Sequence, residues 1–329
     1  MIVYDTRWFG NHGIGRYARE VYDRSLNYVP FSLPTKPFSP RDPFILPSAL
    51  AKQGNSVFFL SPGLNGPIYG NTRFAITLHD INHVDLPDNH PMSKLLYFKT
   101  VQRRIVKRAD VVFTVSNFSR DRIIEWAGVD PVKVVVTGNA ASSVFCQNGD
   151  VYSSEKPYFF YYGNRKPHKN VDRMLSAFAK SGLSRNVNFY LSGETTPELE
   201  QKLHELGIAD SVVCFRGLTD EEIAALLRGA LGLVFASNYE GFGLPILEAF
   251  GCGCPVITSN VTSMPEVAGG AALLVDPDDV DEIAAAMTRL AEDTQLRRLL
   301  VQKGLARVSD FSWERIAAQV AGALSACVT

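Results

Sequence analysis

Residues 239–255 read YEGFGLPILEAFGCGCP, and no other stretch restricts the fold of this chain as tightly. An apolar run at 231–236 precedes them with the length of a buried strand, and helical spacing follows. Between strand and helix lie Glu240, Gly241 and Gly243, with Glu248 about one turn into the helix. Glycines at such a junction let backbone amides come close to a ligand. The unpaired N–H groups of a helix start attract anions, phosphate most naturally. Pro245 suits the first helical turn, where a missing N–H costs nothing. Two carboxylates flanking a phosphate cradle can accept hydrogen bonds from hydroxyls. A ligand with both phosphates and many hydroxyls is a nucleotide sugar. For Glu248 alone, the favourable placement of negative charge near a helix start would be explanation enough; the whole string asks for more.

In the form EGFGxPxxEA the string closely resembles the donor-site motif of retaining glycosyltransferases with the GT-B fold, the glycogen-synthase-like family 4. The resemblance implies that Glu240 binds sugar hydroxyls and Glu248 the ribose. Gly241, Phe242, Gly243 and Leu244 then surround the donor diphosphate.

The rest of the chain alternates short apolar runs with helical patterns, which predicts parallel sheets covered on both faces. A strand at 2–4 leads to a loop and a helix over 15–26. The loop, Gly13-Ile14-Gly15-Arg16-Tyr17-Ala18, also spells the dinucleotide fingerprint and raises a rival, an NAD-dependent enzyme. That fingerprint wants a tight turn directly after its strand and an acidic residue about twenty positions on. Here eight residues intervene, and the chain continues through Pro30, Pro34, Pro37, Pro40, Pro43 and Pro47, a stretch expected to be irregular. The segment also resembles the GIGRY loop of family members. That likeness implies that Gly13 and Gly15 face the departing phosphate, and that Gly13, Ile14, Arg16 and Tyr17 face the acceptor.

A further strand at 74–78 ends in His79-Asp80, where doubly wound sheets bind ligands. A lone histidine is more often structural than functional. The resemblance places His79 over the donor sugar, fed by closure of the two domains, and Asp80 near the acceptor. In the second half the string GNRKPHKN, residues 163–170, joins a strand at 158–162 to a helix at 171–180. Cations at such a loop suit a pyrophosphate. It resembles the family's G-x-x-x-P-R-K-N segment, which implies that Lys169 grips the diphosphate. Many members carry an arginine directly after the glycine; Asn164 holds that slot here, and Arg165 is the candidate to substitute. A solvated basic turn is the plainer account of Lys166 and His168.

At 329 residues the chain has room for two domains, and the polar segment 139–156 is the expected linker. The expectation is α/β, GT-B architecture: two Rossmann-like doubly wound parallel-sheet domains facing a cleft. Residues 1–150 form the acceptor domain, 151–311 the donor domain, and the helix at 312–329 packs back on the first. No apolar run approaches the about 18 residues of a membrane span, no signal-peptide core opens the sequence, and five scattered cysteines suit a reducing cytoplasm. No Asp-x-Asp pair or histidine cluster stands near the site, so neither a metal nor another cofactor is expected.

Residues 1–150 carry 17 Lys and Arg against 12 Asp and Glu, while the remainder carries 16 against 22. A basic first half suggests an acidic partner there. The helix expected at 92–108 has no acidic residue; Lys99, Arg103, Arg104, Lys107 and Arg108 share its outer arc, with Met92, Leu96 and Tyr97 among them. Such a face fits an anionic membrane, the alternative being a solvated basic surface. The function expected is hexose transfer, mannose or rhamnose-like, from a nucleoside-diphosphate sugar, GDP-linked in preference to UDP-linked. The acceptor would be a saccharide or lipid-linked oligosaccharide of surface polysaccharide, and the place the cytoplasm, at the inner membrane face. A sugar-nucleotide epimerase of the same architecture is the further alternative. No nucleic-acid partner is expected.

Overall fold

The computed structural model describes every residue except Asn11, Leu26, Phe38, Asn55 and Thr329. The expected helix end at Leu26 therefore lies outside the described residues. Two compact units divide the chain, Met1–Asn139 together with Phe311–Thr329, and Ala140–Asp310.

The first unit is built on six parallel strands, β1 (Ile2–Asp5), β2 (Tyr28–Phe31), β3 (Phe58–Ser61), β4 (Arg73–Thr77), β5 (Val111–Thr114) and β6 (Val134–Val136), in the order β2-β1-β3-β4-β5-β6. β3 and β5 are buried at every position, as continuous apolar strands covered on both faces should be. The helices are α1 (Gly13–Asp23), α2 (Asp42–Ala51), α3 (Asn82–Asp85), α4 (Met92–Tyr97), α5 (Arg103–Arg108) and α6 (Asn117–Ala127). A 3-10 turn (Thr6–Trp8) separates β1 from α1, so the dinucleotide fingerprint lacks its tight turn.

The proline-rich stretch is not irregular throughout. Pro30 sits in β2, at the sheet edge, where a missing N–H breaks no ladder. Pro43 occupies the first turn of α2, and Pro47 lies inside it. Pro47 cannot bond the Pro43 carbonyl, and that carbonyl instead accepts the Ile68 N–H at 3.0 Å. Nor is 92–108 a uniform α-helix: a wide π turn (Phe98–Gln102) joins α4 to α5. Leu95, Phe98, Ile105 and Val106 are buried, and Met92 and Leu96 stand exposed. Arg108 leaves the expected outer arc. Its guanidinium donates to the carbonyls of Pro67 (3.0 Å) and Gly70 (2.5 Å).

The second unit repeats the plan with β7 (Tyr158–Tyr161), β8 (Asn188–Ser192), β9 (Val212–Phe215), β10 (Gly232–Phe235), β11 (Val256–Ser259) and β12 (Leu273–Val275), all parallel, in the order β12-β11-β10-β7-β8-β9. Its helices are α7 (Val171–Lys180), α8 (Pro197–Glu205), α9 (Asp220–Gly229), α10 (Leu244–Gly251), α11 (Met264–Ala268), α12 (Val280–Glu292) and α13 (Thr294–Val308). Most of the expected linker belongs here, so the division falls at 139/140 instead of 150. Arg228 helps to tie this segment down: its guanidinium donates to the carbonyls of Val144, Cys146 and Asp150 at 3.1, 2.8 and 2.7 Å, and the Tyr152 N–H donates to the Ala225 carbonyl at 3.0 Å. The last helix, α14 (Trp313–Val328), belongs to the first unit and packs against α1. Among the described residues no helix is long and apolar enough to cross a membrane.

Candidate active site

The second sheet reverses direction between β7 and β10, because β8 and β9 build outward on one side and β11 and β12 on the other. Open parallel sheets bind ligands outside the carboxyl ends of strands at such a switch point. Lys169 follows β7 and Glu240 follows β10, and the fold brings them into contact. The Lys169 ammonium donates to both Glu240 oxygens, at 2.7 and 2.9 Å. Both side chains are mostly buried, 16% and 12% exposed, and the ammonium lies 5.7 Å above the Phe235 ring.

Each partner is aimed by its surroundings. Asn170, directly after Lys169, takes a left-handed conformation (φ 60°), which asparagine tolerates better than most residues. Its amide donates to the carbonyls of Ala236 (2.9 Å) and Pro277 (2.7 Å), tying the β7 loop to the end of β10. On the other side the Ser263 hydroxyl donates to the Glu240 carbonyl at 2.9 Å. Gly243 caps α10 at φ +90° and no side chain caps that helix. Gly241 and Phe242 are buried beneath it, and Leu244 is half-buried at its first turn. Glu248 does not merely decorate a helix start: it is 4% exposed and accepts a short hydrogen bond from the Tyr162 hydroxyl. A carboxylate that deep needs such partners.

Arg165 stands apart from the Lys169–Glu240 pair, its guanidinium donating to the Glu194 carbonyl. Lys166 is exposed as a solvated turn would have it, whereas His168 is buried, its carbonyl accepting the Asn238 N–H at 2.8 Å. Asn170, Tyr162 and Ser263 were not singled out by sequence reasoning. Only Asn170 left a signal, as a residue type that tolerates a left-handed turn directly before the expected helix.

A second group gathers in the first unit. His79 follows β4, and the Tyr17 ring meets it edge-on at 5.0 Å. The His79 Nε2–H donates to the Pro62 carbonyl at 3.2 Å, leaving Nδ1 as an acceptor. Burial lowers its pKa to about 4; the Pro62 carbonyl opposes this and His12 adds to it. The ring is therefore neutral at physiological pH. Tyr17 is not an acceptor contact by its side chain: it is 1% exposed, and its hydroxyl shares a hydrogen bond with Thr137 at 3.1 Å. At the start of α1, Gly13 and Ile14 lie toward the surface, while a Cβ on Gly15 would come within 2.4 Å of the Gly10 carbonyl. Arg16 is half-buried, and the Asp80 carboxylate accepts the Asn82 N–H at 3.1 Å. Among the described residues no group of three or more His, Cys, Asp and Glu could hold a metal ion.

The family model described as Glycosyltransferase Family 4 matches residues 5–142, and that described as Glycosyl transferases group 1 matches residues 150–307. O-antigen chain mannosyltransferase B of Escherichia coli is 33% identical over 265 residues, which span 76% of this chain and 70% of that protein. MMP alpha-(1->4)-mannosyltransferase of Mycolicibacterium hassiacum is 34% identical over 228 residues, 68% of this chain and 55% of that one. Among solved structures, sucrose-phosphate synthase from Thermosynechococcus elongatus aligns with a TM-score of 0.79 at 19% identity, covering 98% of this chain and 97% of its own.

Proposed function

The chain belongs to glycosyltransferase family 4, and we propose that within it the enzyme transfers mannose from a GDP-linked donor to a saccharide or lipid-linked oligosaccharide, with retention of anomeric configuration, in surface-polysaccharide synthesis. The observation that carries this reading is the Lys169–Glu240 pair at the switch point beside the start of α10. The names of the two relatives, both mannosyltransferases, support the sugar.

In this reading the second unit holds the donor and the first the acceptor. A diphosphate competes with Glu240 for the Lys169 ammonium, and the carboxylate so released accepts hydrogen bonds from sugar hydroxyls. As the glycosidic bond breaks, negative charge grows on the diphosphate. Lys169, Arg165 and the amides around Gly241, Phe242, Gly243 and Leu244 stabilise it. Glu248 takes the ribose. His79, neutral and with Nδ1 as acceptor, takes a sugar hydroxyl. Ile14, Arg16 and Asp80 line the acceptor side. Neither a metal nor another cofactor has a role in these steps. The basic face of 92–108 meets anionic lipid at the inner face of the cytoplasmic membrane, which keeps the enzyme beside a lipid-linked acceptor.

The test is incubation with GDP-mannose, UDP-glucose and related donors, with and without a lipid-linked saccharide, in EDTA. GDP release that requires the acceptor supports the reading. Preference for a UDP-sugar removes the donor assignment, rearrangement without acceptor makes the chain an epimerase, and strict need for added metal overturns the metal-free chemistry.

A further inference from the structure

The carboxyl ends of β7, β8 and β9 share one backbone habit. Each strand is followed by a glycine in the left-handed region, Gly163 (φ +129°), Gly193 (φ +105°) and Gly217 (φ +60°). Three neighbouring strand ends thus present backbone without a Cβ, a floor open at Gly217 and overlaid by the Arg165 guanidinium at Gly193. It is fixed from below: the Gly193 N–H donates to the Phe215 carbonyl at 2.7 Å and the Gly163 N–H to the Ser192 hydroxyl at 2.9 Å. The floor starts at the switch point beside Lys169. It runs two strand spacings, about 10 Å, away from the Glu240 side. From a diphosphate held at Lys169, that is the direction left for the nucleoside. Arg165 lies along it, with Nη2 3.0 Å from the position of a Gly193 Cβ. At the far end stand Glu194, the second residue after β8, and Arg216, the first after β9. They meet at 3.5 Å, and each side chain is 68% exposed. An exposed single contact of that length adds little to stability, so either side chain can turn to a ligand at small cost.

We propose that this glycine floor takes the nucleobase and that Glu194 and Arg216 make it selective for guanine, an inference that rests on the GDP-linked donor put forward above. Guanine carries two adjacent donors, N1–H and the N2 amino group, and a carboxylate accepts from both. Its O6 and N7 are adjacent acceptors that match the fork of a guanidinium. Glu194 and Arg216, already neighbours, supply those two complements side by side. Uracil offers N3–H between two carbonyl oxygens, and adenine offers a lone pair at N1; each sets an acceptor against the Glu194 carboxylate.

The test is calorimetric titration of the whole chain with GDP, inosine diphosphate, xanthosine diphosphate and UDP. Inosine lacks the N2 amino group, and xanthosine carries a carbonyl in its place. The wild type should bind GDP about tenfold more tightly than inosine diphosphate, the worth of one charge-assisted hydrogen bond. Glu194→Gln should erase that preference and gain affinity for xanthosine diphosphate, because the glutamine amide donates to the new carbonyl. Arg216→Met should weaken all three purine diphosphates alike. A Glu194→Gln variant that still prefers GDP over inosine diphosphate overturns the inference while leaving the donor reading intact. A wild type that prefers UDP to GDP overturns both.

Discussion

Lys169 and Glu240 hold each other in a partly buried contact, so removing either leaves an uncompensated charge. Lys169→Ala should cut transfer about a hundredfold, the worth of about 3 kcal/mol of leaving-group stabilisation, with an unchanged circular dichroism spectrum. Turnover near wild type would remove Lys169 from the site. Both residues could be read from the sequence, since each stood in a recognisable string; their bond could not, because they are 71 positions apart. His79 carries a different signature. Its folded pKa, about 4, lies below the unfolded 6.5, so the stability this neutral ring contributes is whole above 6.5 and is lost as pH falls towards 4. Urea midpoints measured from about pH 7.5 to 5 should therefore decline more steeply for the wild type than for His79→Asn. Parallel declines would mean that His79 titrates normally.

Among the elements, α1 separates two glycines that the sequence presents as equals. A methyl group on Gly15 would sit 2.4 Å from the Gly10 carbonyl, whereas one on Gly13 meets nothing within 4 Å. Gly15→Ala should cost about 1–3 kcal/mol by overpacking, and Gly13→Ala should fold like the wild type; equal urea midpoints would contradict this. The difference was invisible in the string because it depends on a bend that brings Gly10 back against the helix. The proline stretch misled for a related reason: whether Pro47 breaks a helix depends on who receives the Pro43 carbonyl, and Ile68 lies far along the chain. Within 92–108 the buried arc was legible from period alone. The π turn and the withdrawal of Arg108 were not. Lys99, Arg103, Arg104 and Lys107 are exposed and make no ion pair among the described residues. At about 1 kcal/mol for each cation near anionic lipid, they should sediment the enzyme with anionic vesicles at low salt only. Binding that ignores lipid charge, or survives Lys99→Gln, Arg103→Gln, Arg104→Gln and Lys107→Gln together, would sink the membrane contact.

At the scale of the whole molecule, the chain has the GT-B fold, and that was legible because its strands are nearly continuous apolar runs separated by helical patterns. The boundary was misplaced because polar composition marks exposure, not independence: the Arg228 side chain and the Tyr152–Ala225 backbone bond tie this polar segment to the second unit. The return of α14 rests on Trp313, Ile316, Val320 and Leu324, all buried, and on the Tyr17–Trp313 ring contact at 6.2 Å. Its arrangement makes the two units unequal as heritable parts. The second is one uninterrupted stretch of coding sequence, which a single recombination cassette can replace. The first is written in two pieces, one on either side of it. Swapping 140–310 between relatives thus exchanges the second unit entire and leaves the first whole, whereas any single-crossover exchange of the first unit strands its final helix in the other parent.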